Sequence, residues 1–187
     1  TRSEAWAIIK GFFNFKNTEC MKFLEKNLED IIWESDNEKL FERGLPIRGK
    51  CFRQLNLGVY GIADLVCVQR YGPFGLRITI YELKKDKIGI SAFLQSIRYA
   101  RGIQRYLNLR GVKFSFIIDV ILVGREIDTT GNFCFLPDLF CGEDGAYNGF
   151  GSINFYTYKY ELDGLHFKDI SGYYLKNENF KIGGSNE

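Results

Sequence analysis

Apolar side chains recur at helical spacing in three stretches of this chain and at strand spacing in several others. Residues 4–14 (EAWAIIKGFFN) and 18–34 (TECMKFLEKNLEDIIWE) carry the helical period. In the second, Leu24, Leu28, Ile31 and Ile32 form one stripe with acids elsewhere, and Thr18 stands where an N-cap belongs. The polar run Ser35 to Glu38 reads as a connection, and Pro46 and Gly49 punctuate the entry to a strand over 50–57. Residues 60–70 and 77–84 are β-rich and flank the turn-forming run 71–75, which predicts a hairpin. A third helical period spans 90–109, with Ser91 as its cap and Arg110-Gly111 as its stop. The run 114–123 (FSFIIDVILV) is almost wholly apolar and rich in β-branched residues, as in a central strand covered on both faces. Beyond 125 the signals are of shorter strands, with a turn at Asp163-Gly164 joining 154–162 to 165–170.

The order helix, three strands, helix, strand, antiparallel appendage defines an α/β or α+β class, with a mixed central sheet flanked by helices. At 187 residues one domain is expected, with a core over 18–123, a C-terminal β extension over 125–182 and a disordered polar tail at 183–187. The hydrophobic fraction of 45% is ordinary for a soluble globular protein, and no apolar run approaches the roughly 18–20 residues that cross a bilayer. The expectation is an intracellular, cytoplasmic protein with no membrane partner, a phage or mobile-element protein acting in a host cell included. A net charge of +2 does not announce nucleic-acid binding, so local clustering must carry any such reading. Cys20, Cys51, Cys67, Cys134 and Cys141 form no CxxC pair and leave an odd thiol, which argues against a zinc ribbon or a disulfide framework and for reduced thiols.

The hairpin itself locates a candidate site. With its turn centred on Pro73, Asp64 and Glu82 lie opposite each other, Cα atoms roughly 4.5–5.5 Å apart. Lys84 returns to the same face two residues on. Two carboxylates that close repel unless a divalent cation neutralises them, and oxygen donors suit Mg²⁺ or Mn²⁺. Beside them, Lys84 can polarise an attacking water or stabilise charge growing on phosphorus. Spacing alone serves a surface ion-pair ladder equally well.

The helix over 90–109 adds a second element. Gln95, Tyr99, Gly102 and Tyr106 fall on one stripe edged by Arg98, Arg101 and Arg105, with Phe93, Ile97, Ala100 and Leu107 on the buried side. Polar-tipped aromatics, a glycine and arginines suit a phosphate backbone that approaches closely; a solvated basic face is the plainer reading.

GIAD (61–64), ELK (82–84) and QSIRY (95–99), in that order, with roughly 18 residues across a hairpin and a helix after it, resemble the motifs of the PD-(D/E)XK nuclease superfamily, above all its RecB-type and NucS-like branches. The resemblance covers about 18–123 and implies a restriction-endonuclease-like αβββαβ core. It makes Asp64 and Glu82 metal ligands, joined by the Leu83 carbonyl. Lys84 becomes the residue that activates water, and Gln95 and Tyr99 the pair that contacts DNA or orients the site. A first-helix glutamate often joins such sites; Glu25 is the best match and Glu29 the alternative. Ala63 stands where the family name has proline, which leaves the ligand intact. Some such nucleases hold an iron–sulfur cluster, but Cys134 and Cys141 are too few and too far apart for that.

Lys85 and Lys87 are further candidates to touch phosphates, with an exposed strand end as the plainer reading, and Arg53 and Gln54 are candidates to line the cleft. The lone His166 is expected to have no catalytic or metal role, and no other histidine offers a base for serine or cysteine catalysis. Asp119 within the apolar strand should be paired or lie at the strand's end, and Tyr156, Tyr158 and Tyr160 fit an aromatic sheet core better than a base-stacking platform. The expected activity is Mg²⁺- or Mn²⁺-dependent hydrolysis of phosphodiesters in DNA, the expected partner, with RNA left open as another. The rivals are a non-catalytic nucleic-acid-binding or assembly module on the same fold and a phosphohydrolase of small phosphoesters.

Overall fold

The computed structural model of the protein describes residues 25–72, 75–112, 115–128 and 149–171. The expected helix at 4–14, Thr18, Cys20, Cys134, Cys141 and the polar tail lie outside them. The described elements are α1 (Glu25–Glu34), α2 (Asn37–Glu42), β1 (Lys50–Asn56), a 3-10 turn (Gly58–Tyr60), β2 (Ile62–Tyr71), β3 (Gly75–Leu83), β4 (Lys87–Ile88), α3 (Ile90–Leu109), β5 (Ser115–Gly124), β6 (Glu126–Ile127), β7 (Gly149–Glu161) and β8 (Gly164–Asp169).

Six strands form one mixed sheet in the order β1-β2-β3-β5-β7-β8, while β4 and β6 make a small parallel pair. The antiparallel run β1 to β3 comes from short turns. The parallel step from β3 to β5 needs a long crossover, which α3 supplies. β5 sits between two parallel neighbours and is buried along nearly its whole length, as its β-branched run requires.

Each face of the sheet has its own core. Ala92, Phe93, Ala100 and Ile103 of α3 lie on Val66, Ile78, Ile80, Ile118 and Val120. On the other face Leu28 and Ile32 of α1, one turn apart, join Leu40, Leu45 and Ile47 over Leu65, Tyr81, Leu83, Val123 and Tyr158. Each such fully buried aliphatic side chain contributes about 1.5–3 kcal/mol.

Four expectations need correction. The described C-terminal strands are not an antiparallel appendage: β7 runs parallel to β5 in the main sheet, and β8 pairs antiparallel with β7. The hairpin 154–170 displays its own turn in the sequence, whereas a parallel neighbour is set by a crossover that no local signal reveals. The connection after residue 34 contains α2, whose N-cap Asp36 accepts a hydrogen bond from the Glu38 N–H at 2.7 Å. Ser91 lies inside α3; its N-cap position is Gly89, without a side-chain cap. Finally, Cys51 and Cys67 are directly opposed across β1 and β2 and are joined by a disulfide, so the two thiols are not free. A scan for closely spaced cysteines cannot see a pair that strand register creates.

Asp119 is paired as expected, by Arg77 (3.1 Å) and by the Ser152 N–H (2.9 Å). Tyr156 and Tyr158 belong to the sheet core, and Tyr160 is exposed. Among the described residues no helix is long and apolar enough to cross a membrane.

Candidate active site

The hairpin register runs from Leu65↔Tyr81 to Tyr71↔Gly75, every pair centred on position 73. Asp64 and Glu82 stand one step beyond the last pair. They share a face with Val66 and Ile80, the face that α3 covers. There the Leu83 N–H donates to Asp64 Oδ2 at 2.9 Å, fixing that carboxylate against the end of β3.

Glu82 is 2% exposed. Its Oε1 lies 2.9 Å from Lys84 Nζ, while its Oε2 is buried with no hydrogen-bond partner among the described residues. Burial, and then the charge of Asp64, push the Glu82 carboxyl up to about 7 in spite of Lys84. Burial raises Asp64 as well, against the Leu83 hydrogen bond and the Lys84 charge. Lys84 follows β3, where its N–H donates to the Val123 carbonyl at 2.7 Å. Burial works against its charge, but Glu82 and Glu25 outweigh that and hold the ammonium above its ordinary range. Lys84 is therefore a fixed cation, suited to stabilising negative charge or orienting water rather than to taking a proton.

An ion-paired lysine satisfies one carboxylate oxygen and leaves the other bare. A buried bare oxygen beside a second carboxylate is the donor set that a hard divalent cation fits, because such an ion would supply the missing partner and cancel the repulsion. The first helix brings two more acids. Glu25 Oε1 is 3.2 Å from Lys84 Nζ, and its Oε2 accepts from the Lys85 N–H at 3.4 Å. Glu29, one turn on, is buried and turned to β1, where Arg53 and Gln54 hold it. Glu25 and not Glu29 thus faces the lysine. Lys84 stands between Glu25 and Glu82.

On the α3 side, Gln95 Nε2 and the Tyr99 hydroxyl are 3.4 Å apart. Tyr99 is buried, and burial, helped by the charge of Glu82, raises its phenol above the ordinary range. Arg98, Arg101 and Arg105 are exposed along the helix; Arg98 lies over the Tyr99 ring, Arg101 bonds Gln104 and Arg105 reaches the Tyr60 hydroxyl. None of the three is ion-paired with a described acid.

The expected stripe is altered in one respect. Gly102 and Tyr99 are buried rather than open to a ligand, because the loop between β1 and β2 lies against them. A Cβ on Gly102 would come within 2.7 Å of the Tyr60 ring, and one on Gly61 within 2.9 Å of Tyr99. The bare backbone of Gly102 thus receives an aromatic side chain, so it is not free for a phosphate. Tyr60 escaped notice in the sequence because its signal, a glycine on the facing helix, reads equally well as an approach point for substrate.

The remaining candidates separate. Arg53 is turned to Glu29 and Asp30, and Gln54 to Glu29, so both are engaged with the acids of α1. Lys85 and Lys87 pair with Asp86 and Glu126, at 3.7 and 3.4 Å, on the surface. A recess of about 590 Å³ next to them is lined by Asp86, Arg125, Glu126, Tyr158, Lys159 and Tyr160, and none of the carboxylate cluster borders it. His166 lies on β8 beside the β7–β8 turn, with its Nε2 2.8 Å from Asp163 Oδ1 and near Glu161, three strands across the sheet from the β3 strand that carries Glu82. That His–carboxylate contact lowers the Asp163 pKa.

In comparisons with family models, curated proteins and solved structures, the chain matches none.

Proposed function

We propose that this protein is a metal-dependent nuclease that hydrolyses phosphodiester bonds of DNA, built on the PD-(D/E)XK plan and acting in the cytoplasm. One observation carries the reading: a glutamate 2% exposed, with one oxygen on a lysine and the other without a hydrogen-bond partner among the described residues, beside a second buried carboxylate and under a helix whose three exposed arginines are ion-paired with no described acid. A structural ion pair has no use for the bare oxygen, and a surface ladder would not be buried.

In this reading Asp64 and Glu82 hold Mg²⁺ or Mn²⁺, with the Leu83 carbonyl and Glu25 as further donors. The bound ion would lower the pKa of a water and neutralise phosphate charge. Lys84, kept protonated by Glu82 and Glu25, orients the water and stabilises negative charge developing on the phosphate oxygens. Gln95 and Tyr99 line the α3 side, and Arg98, Arg101 and Arg105 hold the DNA backbone through its phosphates.

The test is incubation of the purified protein with Mg²⁺ or Mn²⁺ and a panel of linear, circular, single-stranded and flapped DNA, with RNA alongside. Cleavage that requires the metal and disappears in Asp64→Asn and Lys84→Met supports the reading. Intact substrates at high protein concentration overturn it. Salt-sensitive DNA binding without cleavage would instead mark a binding module, and turnover of mononucleotides alone a phosphohydrolase.

A further inference from the structure

A β-strand sends neighbouring side chains to opposite faces, so consecutive residues do not ordinarily reach one carboxylate. On β1 they do. Arg53 Nε donates to Glu29 Oε1 at 2.5 Å and Gln54 Nε2 donates to Glu29 Oε2 at 2.7 Å. The backbone makes this possible: Gln54 has a φ of +50°, and among the described residues it is the only non-glycine in that left-handed region. Such a conformation is costly for a side chain with a Cβ and persists only where the surroundings impose it.

Its position is informative. The flanking pairs Arg53↔Leu65 and Leu55↔Ala63 put Gln54 across from Asp64, and at that step the ladder of paired residues is interrupted. The kink thus lies opposite the first carboxylate of the site and turns a side chain toward the helix that carries Glu25 and Glu29. Arg53 also reaches Asp30, so three hydrogen bonds tie α1 to β1. One turn before Glu29 on the same helix, Glu25 meets Lys84 and the Lys85 N–H. Fixing Glu29 therefore fixes where Glu25 stands relative to Asp64 and Glu82.

We infer that Gln54 is a positioning residue: its left-handed backbone and its amide lock Glu29, and through it the acids of α1, at the distance the cation site requires. The inference rests on the metal-site reading above. It explains why a strained glutamine is kept where glycine would sit without strain, since glycine supplies the backbone and not the amide.

The test compares wild type, Gln54→Gly, Gln54→Met and Asp64→Asn by calorimetric titration with Mn²⁺ in the absence of DNA and by thermal melting without metal. Gln54→Gly is expected to melt at the wild-type midpoint or above it, and yet to bind Mn²⁺ about tenfold more weakly. Gln54→Met, which keeps the strain and lacks the amide, should lose affinity similarly and melt lower. A merely structural role would move affinity and midpoint together. Mn²⁺ binding that Asp64→Asn abolishes and Gln54→Gly leaves within twofold of wild type overturns the positioning role alone. Wild-type protein that binds no Mn²⁺, or binds it equally after Asp64→Asn, overturns the metal site and this inference with it.

Discussion

The molecule buries two glutamates a short way apart and treats them in opposite ways. Around Glu29, where α1 meets β1, both carboxylate oxygens are taken, one by Arg53 and one by Gln54. Around Glu82, where β2 and β3 end, one oxygen has Lys84 and the other has no hydrogen-bond partner among the described residues. The first region looks like a solved electrostatic problem, the second like one left open. A buried polar atom without a partner costs about 1–3 kcal/mol, more if charged, so the open region persists against stability. On the nuclease reading proposed above, the contrast separates what holds the fold from what would serve chemistry.

Substitutions in the open region should give the largest effects, and on activity. Asp64→Asn, Glu82→Gln and Lys84→Met are each expected to lower DNA cleavage at least about a thousandfold, equivalent to roughly 4 kcal/mol of transition-state stabilisation, measured as single-turnover rates at saturating metal. For Glu82→Gln the metal-free protein at pH 7.5 should nonetheless be as stable as wild type or more stable, by denaturant titration. A variant that lost activity and stability together would dissolve the distinction between the two regions.

The pH dependence tests the same point. Glu82 has its ordinary value at 4.5 and is raised to about 7 in the fold, so between those values the folded state binds more protons than the unfolded one. Stability of the metal-free protein should therefore fall as pH rises from 4.5 toward 7, by up to about 3 kcal/mol. Asp64, also raised, adds in the same direction. Urea titrations across that range should show the decline in wild type and a flatter profile in Glu82→Gln.

The closed region should respond in stability. Glu29→Ala leaves Arg53 and Gln54 without their shared acceptor and should cost about 2 kcal/mol, less than for a fully buried pair because Arg53 keeps some exposure to water. The smallest effects belong to the surface. Arg98→Ala, Arg101→Ala and Arg105→Ala should each reduce the slope of log affinity for DNA against log salt by about 0.9, with no change in melting temperature. Equal salt slopes in all four proteins would remove these arginines from the interface.

Sequence reasoning reached the elements whose signals are local or periodic. The helix at 90–109, the central strand and the hairpin could be read from period and turn residues, and the hairpin's centre gave the register that places Asp64 against Glu82. It did not reach features that depend on what lies across from a residue. The cross-strand disulfide, the parallel β5–β7 pairing, the seat of Tyr60 on Gly102 and the inward turn of Arg53 and Gln54 are all consequences of assembly. Arg53 illustrates the reason: in sequence it is one more basic residue near a candidate cleft, and only the arrival of Glu29 and Asp30 decides that its charge is spent within the fold.

The β2–β3 hairpin has a consequence for how such a site tolerates change. Its two acids lie at the open end, and the turn lies at the other. Lengthening or shortening both strands together by matched residues moves the turn outward or inward and leaves the acids facing each other. An unmatched single insertion rotates one strand by a face and sends its carboxylate to the opposite side of the sheet. The number of residues between Asp64 and Glu82 is thus free to drift while its parity is constrained, and kinship among chains of this design should show in that parity more durably than in any fixed motif spacing.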